Sequence, residues 1–427
     1  PYVSHEWLAD LILFLVYKVA GLAGIVVLSA TLLASTFTYL YNTSVRRFNL
    51  RIPILFLFIW GAGVTSLHWI TRPHLISMLL LAVWLVQADR LARGEIVSYW
   101  QFPVLMIIWS NLHGEFIAGI LVLVAYVAGW SWDFIFNRQN SDLSVGKKLW
   151  LALLLSLIAC VITPSGIESW FSLLGFVNNN YLMSRMAESN APNFQLPEMR
   201  ILLGLIAFSI FLLGVKKDTI STGQSFLLTG FTMMSLLAIR NVHLYGIVAP
   251  FVLVETMRNA KKPRLIEHIE TTLQNIEGKI HGILWPVFTT IILGTLVVTS
   301  TASQRFYQFS PSFFPVDAVA WLEKNPQEGY MFNEFTWGGY ISLHLWPQQS
   351  PFIDSIADGT VEAKTQGQVT RQYETVITLS DSWQDVFTQY NISWVIIQPQ
   401  SELAKALMHT YNWTTLYRDN TTIILKH

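Results

Sequence analysis

The side chains able to do chemistry sit in short polar interruptions between long apolar runs. His5 and Glu6 come first, followed by His68, Arg72 and His74, then by Asn111, His113 and Glu115. Further along come Arg185 and Glu188, and then Arg240, Asn241 and His243. A carboxylate near imidazoles is the composition of a general-base site, where the base must reach the proton it removes. Glu6, His5 and His113 are therefore the candidate catalytic residues. An arginine in a charge-poor stretch offers a fixed fork of donors suited to phosphate. Arg72 and Arg240 are read as substrate-binding on that ground, with His74, Asn111, Glu188 and His243 around them. Asp354 is a further binding candidate, because Phe352-Ile353-Asp354 reads as a strand and α/β sheets place ligands at carboxyl ends. Plainer roles stand beside these. Glu6 suits a helix start, Pro73 marks a helix entry after Arg72, and Asn111 to Gly114 reads as a tight turn. Arg240 can snorkel to headgroups, and Asp354 can cap a turn. No metal ligand set is assigned, since neither HExxH nor CxxC occurs. Walker and GxGxxG motifs are absent too.

The elements that must position these residues follow from composition. The chain has 427 residues with 27 basic and 27 acidic side chains; 52% are hydrophobic and only 13% charged. Ordinary soluble domains carry roughly 25% charged residues, so a soluble enzyme and a disordered chain are both excluded. Zero net charge excludes a nucleic-acid partner, which needs a basic surface. The one cysteine, Cys160, lies in an apolar run and reads as a buried small hydrophobe. Residues 1–301 form a polytopic helical membrane domain, and residues 302–427 a small soluble α/β domain. A span needs about 20 apolar residues. Ten are read, around 21–42, 52–66, 73–88, 100–110, 115–132, 149–163, 200–215, 224–239, 244–257 and 282–301. Residues 4–18 form a separate interfacial helix capped by Ser4. Alternate loops carry Arg46, Arg47 and Arg51; Arg90 and Arg93; Arg138, Lys147 and Lys148; Lys216 and Lys217; and Arg258, Lys261, Lys262 and Arg264. The positive-inside rule makes those loops cytoplasmic. The polar residues listed first then converge on the outer face, together with both ends of the chain. Ionisable groups near membrane depth mark functional sites by default.

In the soluble region, a helix is expected over 316–325 and strands over 329–333, 352–354 and 394–397. A helix over 385–390 precedes the last of these. A hairpin over 414–418 and 421–426 turns at Asp419-Asn420. The sheet is expected to be mainly parallel and flanked by helices.

The order of short motifs carries a resemblance. His5-Glu6-Trp7-Leu8 is followed by Arg72-Pro73-His74, Trp109-Ser110-Asn111-Leu112-His113-Gly114, Pro164-Ser165-Gly166 and Arg240-Asn241-Val242-His243. Together they resemble bacterial polytopic proteins of the GT-C glycosyltransferase superfamily. Trp337-Gly338-Gly339-Tyr340 and Phe352-Ile353-Asp354 look like the periplasmic tail of that group. The resemblance implies a bacterial cytoplasmic-membrane protein with its C-terminal domain outside. It also implies transfer of a sugar from a polyprenyl-phosphate donor to an acceptor at the outer face. The resemblance further implies Glu6 as base or metal ligand, supported by His5 and His113, and Arg240, with Arg72 second, as holders of the lipid phosphate; a divalent metal is a compatible cofactor. In that group a first span and an acidic-aromatic motif precede the His-Glu-Trp-like segment; the sequence here opens after that point. The reading from another class is a non-catalytic scaffold or accessory subunit of a membrane complex.

Overall fold

A computed structural model of the chain describes residues 6–48, 50–136, 142–177, 179–216, 219–258, 264–279, 308–354 and 368–427, with isolated positions 287, 291 and 295. It divides into two compact units. One holds 5–169 and 186–296, and the other holds 170–185 with 297–427. The C-terminal unit thus takes in a stretch that the sequence places between two spans.

The first unit is a helical bundle. Its helices are α1 (Trp7–Phe48), α2 (Arg51–Thr65), α3 (His74–Ala92), α4 (Gln101–Leu112), α5 (Phe116–Phe136) and α6 (Leu143–Ala159). Beyond α7 (Glu168–Val177) and α8 (Asn180–Arg185), which fall almost wholly in the other unit, it continues with α9 (Arg200–Val215), α10 (Thr222–Leu237), α11 (Val242–Leu253) and α12 (Arg264–Lys279). Helices coincide with nine of the ten expected spans; the stretch 282–301 lies largely outside the described residues. Five helical stretches are long and apolar enough to cross a membrane: Trp7–Phe48, Arg51–His68, His74–Ala92, Phe116–Phe136 and Pro197–Val215. The expected interfacial helix is continuous with the first span in hydrogen bonding. Gly21 breaks its helical path at φ 59°, ψ −157°, a left-handed-side conformation that a side chain would resist. Ser4, its expected cap, lies outside the described residues.

Close packing depends on small residues at crossings, as it does where apolar solvent gives helices no other reason to pair. A Cβ on Gly61 of α2 would run into the Gly246 carbonyl oxygen of α11. Local rules set the helix starts. Asp142 accepts from Ser144 N at 2.7 Å. Ser221 and Gln224 form a reciprocal capping box at α10. Glu270 of α12 is buried and accepts from Ile52 N at 3.0 Å, so a polar helix closes the start of an apolar one. Cys160 is buried, as expected.

The second unit is built on a four-stranded sheet in the order β1-β2-β4-β3. The strands are β1 (Tyr330–Asn333), β2 (Ile392–Ile397), β3 (Thr414–Arg418) and β4 (Ile423–Lys426). Its helices are α13 (Val316–Lys324), α14 (Gly338–Leu345), α15 (Gln368–Ile377), α16 (Trp383–Gln389) and α17 (Glu402–His409). Alternation along the strands sends Phe332, Val395, Ile397, Ile423 and Leu425 to one face, with Val376, Phe387 and Leu403. Met331, Trp394, Ile396 and Ile424 go to the other, with Val319, Leu322 and Ile341.

Two expectations are corrected. Only β1 and β2 run parallel, while β2–β4 and β3–β4 are antiparallel. The short Asp419 turn joins β3 to β4 as a hairpin, which can only be antiparallel. Residues 352–354 do not form a strand. The buried Asn333 side chain takes the place of a strand partner there. Its Oδ1 accepts from Phe352 N at 2.7 Å and from Ile353 N at 3.2 Å, and its Nδ2 donates to Ile353 O at 2.9 Å. Asp354 therefore sits in a loop and not at a strand's carboxyl end.

Candidate functional site

Four histidines and two glutamates gather where several helices of the bundle begin or end. His68 closes the short turn after α2, and His74 begins α3 directly behind Pro73. The fixed φ of proline suits that entry, and Leu75 N and Ile76 N bond back to the Arg72 and Pro73 carbonyls. His113 and Glu115 occupy the turn between α4 and α5, and His243 begins α11. Glu6 stands immediately before α1. Sequence separations of more than a hundred residues are closed only by the bundle.

Contacts run through this cluster in a chain. Glu6 Oε1 lies 3.2 Å from His113 Nε2. His113 Nδ1 lies 3.5 Å from Glu115 Oε2, and Glu115 Oε1 lies 2.9 Å from His243 Nε2. The last approach is an ion-pair contact without an aligned hydrogen bond, since His243 Nε2 has none among the described residues. His68 stacks at a tilt against His243, with ring centroids 4.8 Å apart, and His74 lies 5.7 Å from His243. His74 Nε2 contacts the His68 carbonyl, which can only accept, so His74 carries its hydrogen there. His243 is 1% exposed, and its Nδ1 and the buried Nδ1 of His68 have no hydrogen-bond partner among the described residues. Buried polar atoms are nearly always paired, so such orphans are a sign of a site rather than of a brace.

Electrostatics follow from these neighbours. Burial raises the Glu6 carboxyl, and Asp10 and Glu115 add to this, while His113 and Arg72 pull against it; the net shift is upward. Burial pushes the His113 imidazole down, but Glu115 and Glu6 outweigh it and leave it raised. Glu115 falls ahead of α5, outside the spanning helix. Burial would raise it, yet His243 and His113 hold it well below the ordinary carboxylate range. The arrangement is an anion shared by two imidazoles, with a second, more basic carboxylate at the edge. The Glu6 side chain is 39% exposed, so that edge opens outward.

The other expected residues divide. Arg72 and Glu188 pair with each other at 3.0 Å on the surface. Ile239 N donates to Asn190 O at 2.9 Å, which places the Arg240 turn beside the Glu188 turn. Asn111 is buried and fully occupied. It accepts from Trp7 Nε1 at 2.7 Å and donates to the Ile107 and Ile162 carbonyls at 2.7 and 2.8 Å. That geometry makes it a tie between the start of α1, the end of α4 and the turn after α6. His5 lies outside the described residues. Asp354 belongs to the C-terminal unit. Among the described residues, no three His, Cys, Asp or Glu side chains are arranged to hold a metal ion.

Ser77 belongs to the site without any sequence signal of its own, and Trp109, which opens the Trp109 to Gly114 motif, joins it there. Trp109 Nε1 donates to Ser77 Oγ at 2.8 Å, and Ser77 Oγ lies 3.0 Å from His113 Nδ1. A three-residue step from His74 puts Ser77 on the same face of α3. That is the only pattern through which it could have been found.

A second polar constellation lies at the opposite ends of the same helices. Asp89 near the end of α3 and Glu255 after α11 are each 2% exposed. Arg93 pairs with both, at 3.2 Å from Glu255, and Arg47 lies 3.4 Å from Asp89 and also pairs with Glu255. Tyr126 and Gln224 donate to Asp89 at 3.0 and 2.9 Å, and Arg258 reaches Glu255 at 2.7 Å. The sequence displays the cations as loop charges, whereas the two acids sit within or just beyond apolar helices. An acid in such a helix is itself a signal in the sequence.

The C-terminal unit has a cleft of about 510 Å³ lined by Tyr181, Arg371, Glu374, Thr375, Thr378 and Ser380. Its charged groups serve one another. Arg185 and Arg371 cover the Tyr181 ring at 3.8 and 4.2 Å, and the Tyr181 hydroxyl donates to Glu374 at 2.6 Å. The cleft therefore reads as a brace between α8 and α15.

No known family model matches the chain, and no curated protein matches it.

Proposed function

We propose that the protein is a membrane glycosyltransferase of GT-C type, transferring a sugar from a polyprenyl-phosphate carrier to an acceptor at the outer face of a bacterial cytoplasmic membrane. In this reading the bundle spans the membrane ten times, and the C-terminal α/β unit is extracytoplasmic. The observation that supports it best is Glu6: a half-exposed carboxylate with raised proton affinity, in contact with the imidazole of a buried His–Glu cluster. Glu6 takes the proton of the acceptor hydroxyl. The acceptor oxygen forms a bond to the anomeric carbon as the bond from that carbon to the carrier phosphate breaks. The phosphate leaves with the electron pair, and Arg72 and Arg240 offer it positive charge. The phosphate competes with Glu188 for Arg72. His74 and His243 line the inner side, and membrane lipid surrounds the bundle.

Purified protein in lipid nanodiscs, given a labelled polyprenyl-phosphate sugar and acceptor, tests this. Transfer by the wild type and its loss in Glu6→Gln and Arg240→Ala are expected, with both variants folded. Near-normal turnover in both would falsify the assignment. A stoichiometric partner without any transfer would favour the accessory-subunit role.

A further inference from the structure

His113 Nδ1 faces two groups at once: Ser77 Oγ at 3.0 Å and Glu115 Oε2 at 3.5 Å. An indole N–H can only donate, so Ser77 Oγ accepts from Trp109 Nε1. Ser77 is fully buried, and its one hydrogen has only His113 Nδ1 to serve among the described residues. A neutral His113 therefore accepts from Ser77 at Nδ1 and carries its own hydrogen on Nε2, toward Glu6. An imidazolium has hydrogens on both nitrogens. Its Nδ1 hydrogen then needs an acceptor, and the Glu115 carboxylate is the anion beside it. Ser77 serves the neutral form and Glu115 the charged form.

We propose that Ser77 and Glu115 are opposed positioning residues for His113, and that the balance between them sets the pH at which Glu6 becomes free to act as base. With His113 charged, Glu6 is held as the partner of a cation and is a poor base. With His113 neutral, Glu6 receives one ordinary hydrogen bond and can take a proton from the acceptor. The other groups around His113 are accounted for. Glu6 faces it from the start of α1 and Glu115 from the turn ahead of α5. His74 on α3 lies 6.4 Å away, ring to ring, and His243 on α11 reaches it through Glu115. Arg72 and Asp10 act on Glu6 from outside, with opposite sign. The link to catalysis rests on Glu6 being the base; the switch in His113 does not.

The test separates the two. Histidine-labelled full-length protein in nanodiscs is titrated by NMR, with the His113 signal identified through His113→Gln. Ser77→Ala removes the partner of the neutral form and should move the His113 midpoint up. Glu115→Gln removes the partner of the charged form and should move it down. Each shift should be about one pH unit or more. Ser77→Thr keeps the hydroxyl and should titrate near the wild type. Shifts of the same sign, or none, overturn the proposal. The acid limb of transfer activity should follow the same two directions. If the NMR midpoints move apart and transfer does not follow, the switch stands and the base role of Glu6 falls.

Discussion

At one end of α3, Asp89 is met by two guanidiniums, a phenol and an amide. At the other end, about 22 Å away by helical rise, His74 belongs to a group that leaves the Nδ1 atoms of His68 and His243 without hydrogen-bond partners among the described residues. Both clusters are drawn from ends of the same helices, and both gather charge at the margin of an apolar bundle. The first is closed: both oxygens of Asp89 are taken up by donors among the described residues. The second is open, with an anion shared between two imidazoles and a carboxylate reaching the surface. The difference is the one between a fastening and a site. Saturated polar networks specify a packing, whereas unsaturated ones keep binding capacity in reserve.

Breaking the closed end should have the largest effect on stability. Asp89→Ala strips a shared anion from Arg47 and Arg93 and should cost about 3–5 kcal/mol, read as a lowered thermal midpoint in detergent. A cost below about 1 kcal/mol would mean that the knot is ornamental and the contrast fails. Glu6→Gln should do the reverse. Transfer should fall about 10²–10⁴-fold, while stability stays within about 0.5 kcal/mol.

The open end should also show itself through pH. His113 is raised in the folded protein, so its contribution to stability is full below the ordinary imidazole range and fades as pH rises through its raised value. Glu115 is lowered, so its contribution is full above the ordinary carboxylate range and fades as pH falls toward its depressed value. Together they favour a stability maximum between those two ranges. Thermal melts across pH should show it, and Glu115→Gln should flatten it. A curve unchanged by that substitution would remove Glu115 from the account. The smallest effect is expected at Asp142→Ala, which removes one helix cap outside both clusters. It should cost about 1 kcal/mol by chemical denaturation and leave transfer alone.

Much of this was legible beforehand. Apolar runs of about 20 residues become helices because a helix satisfies the backbone within the segment itself in an apolar setting, and nine of the ten expected spans coincide with helices. Strand β2 and the final hairpin follow from β-branched runs and an Asp-Asn turn, and β1 from a short aromatic run after Gly329. The Asp419 side chain accepts from Thr421 N and Thr422 N at 2.7 Å each, a local turn chemistry that sequence displays directly. Phe352 to Asp354 has a strand-like composition, yet one buried asparagine about twenty residues away satisfies its backbone in place of a strand. His68, Arg72, His74, His113, Glu115 and His243 are all visible as polar breaks near helix ends. Ser77 is not, since a serine inside an apolar helix looks like packing, and Trp109 is visible only as the opening of the Trp109 to Gly114 motif.

The sequence by itself determined most helices of the bundle, where polar residues interrupt them, and that a small α/β unit follows a bundle apolar enough for a membrane. Those are local properties, fixed by hydropathy, periodicity and turn residues. Only the tertiary structure decided which interruptions meet. It brought Glu6 to His113 and Glu115 to His243, left Asn111 as a tie, and closed Asp89 inside a knot of arginines. Contact between residues a hundred positions apart depends on how helices cross, and crossings turn on close approaches such as Gly61 against Gly246, whose partner no local pattern reveals.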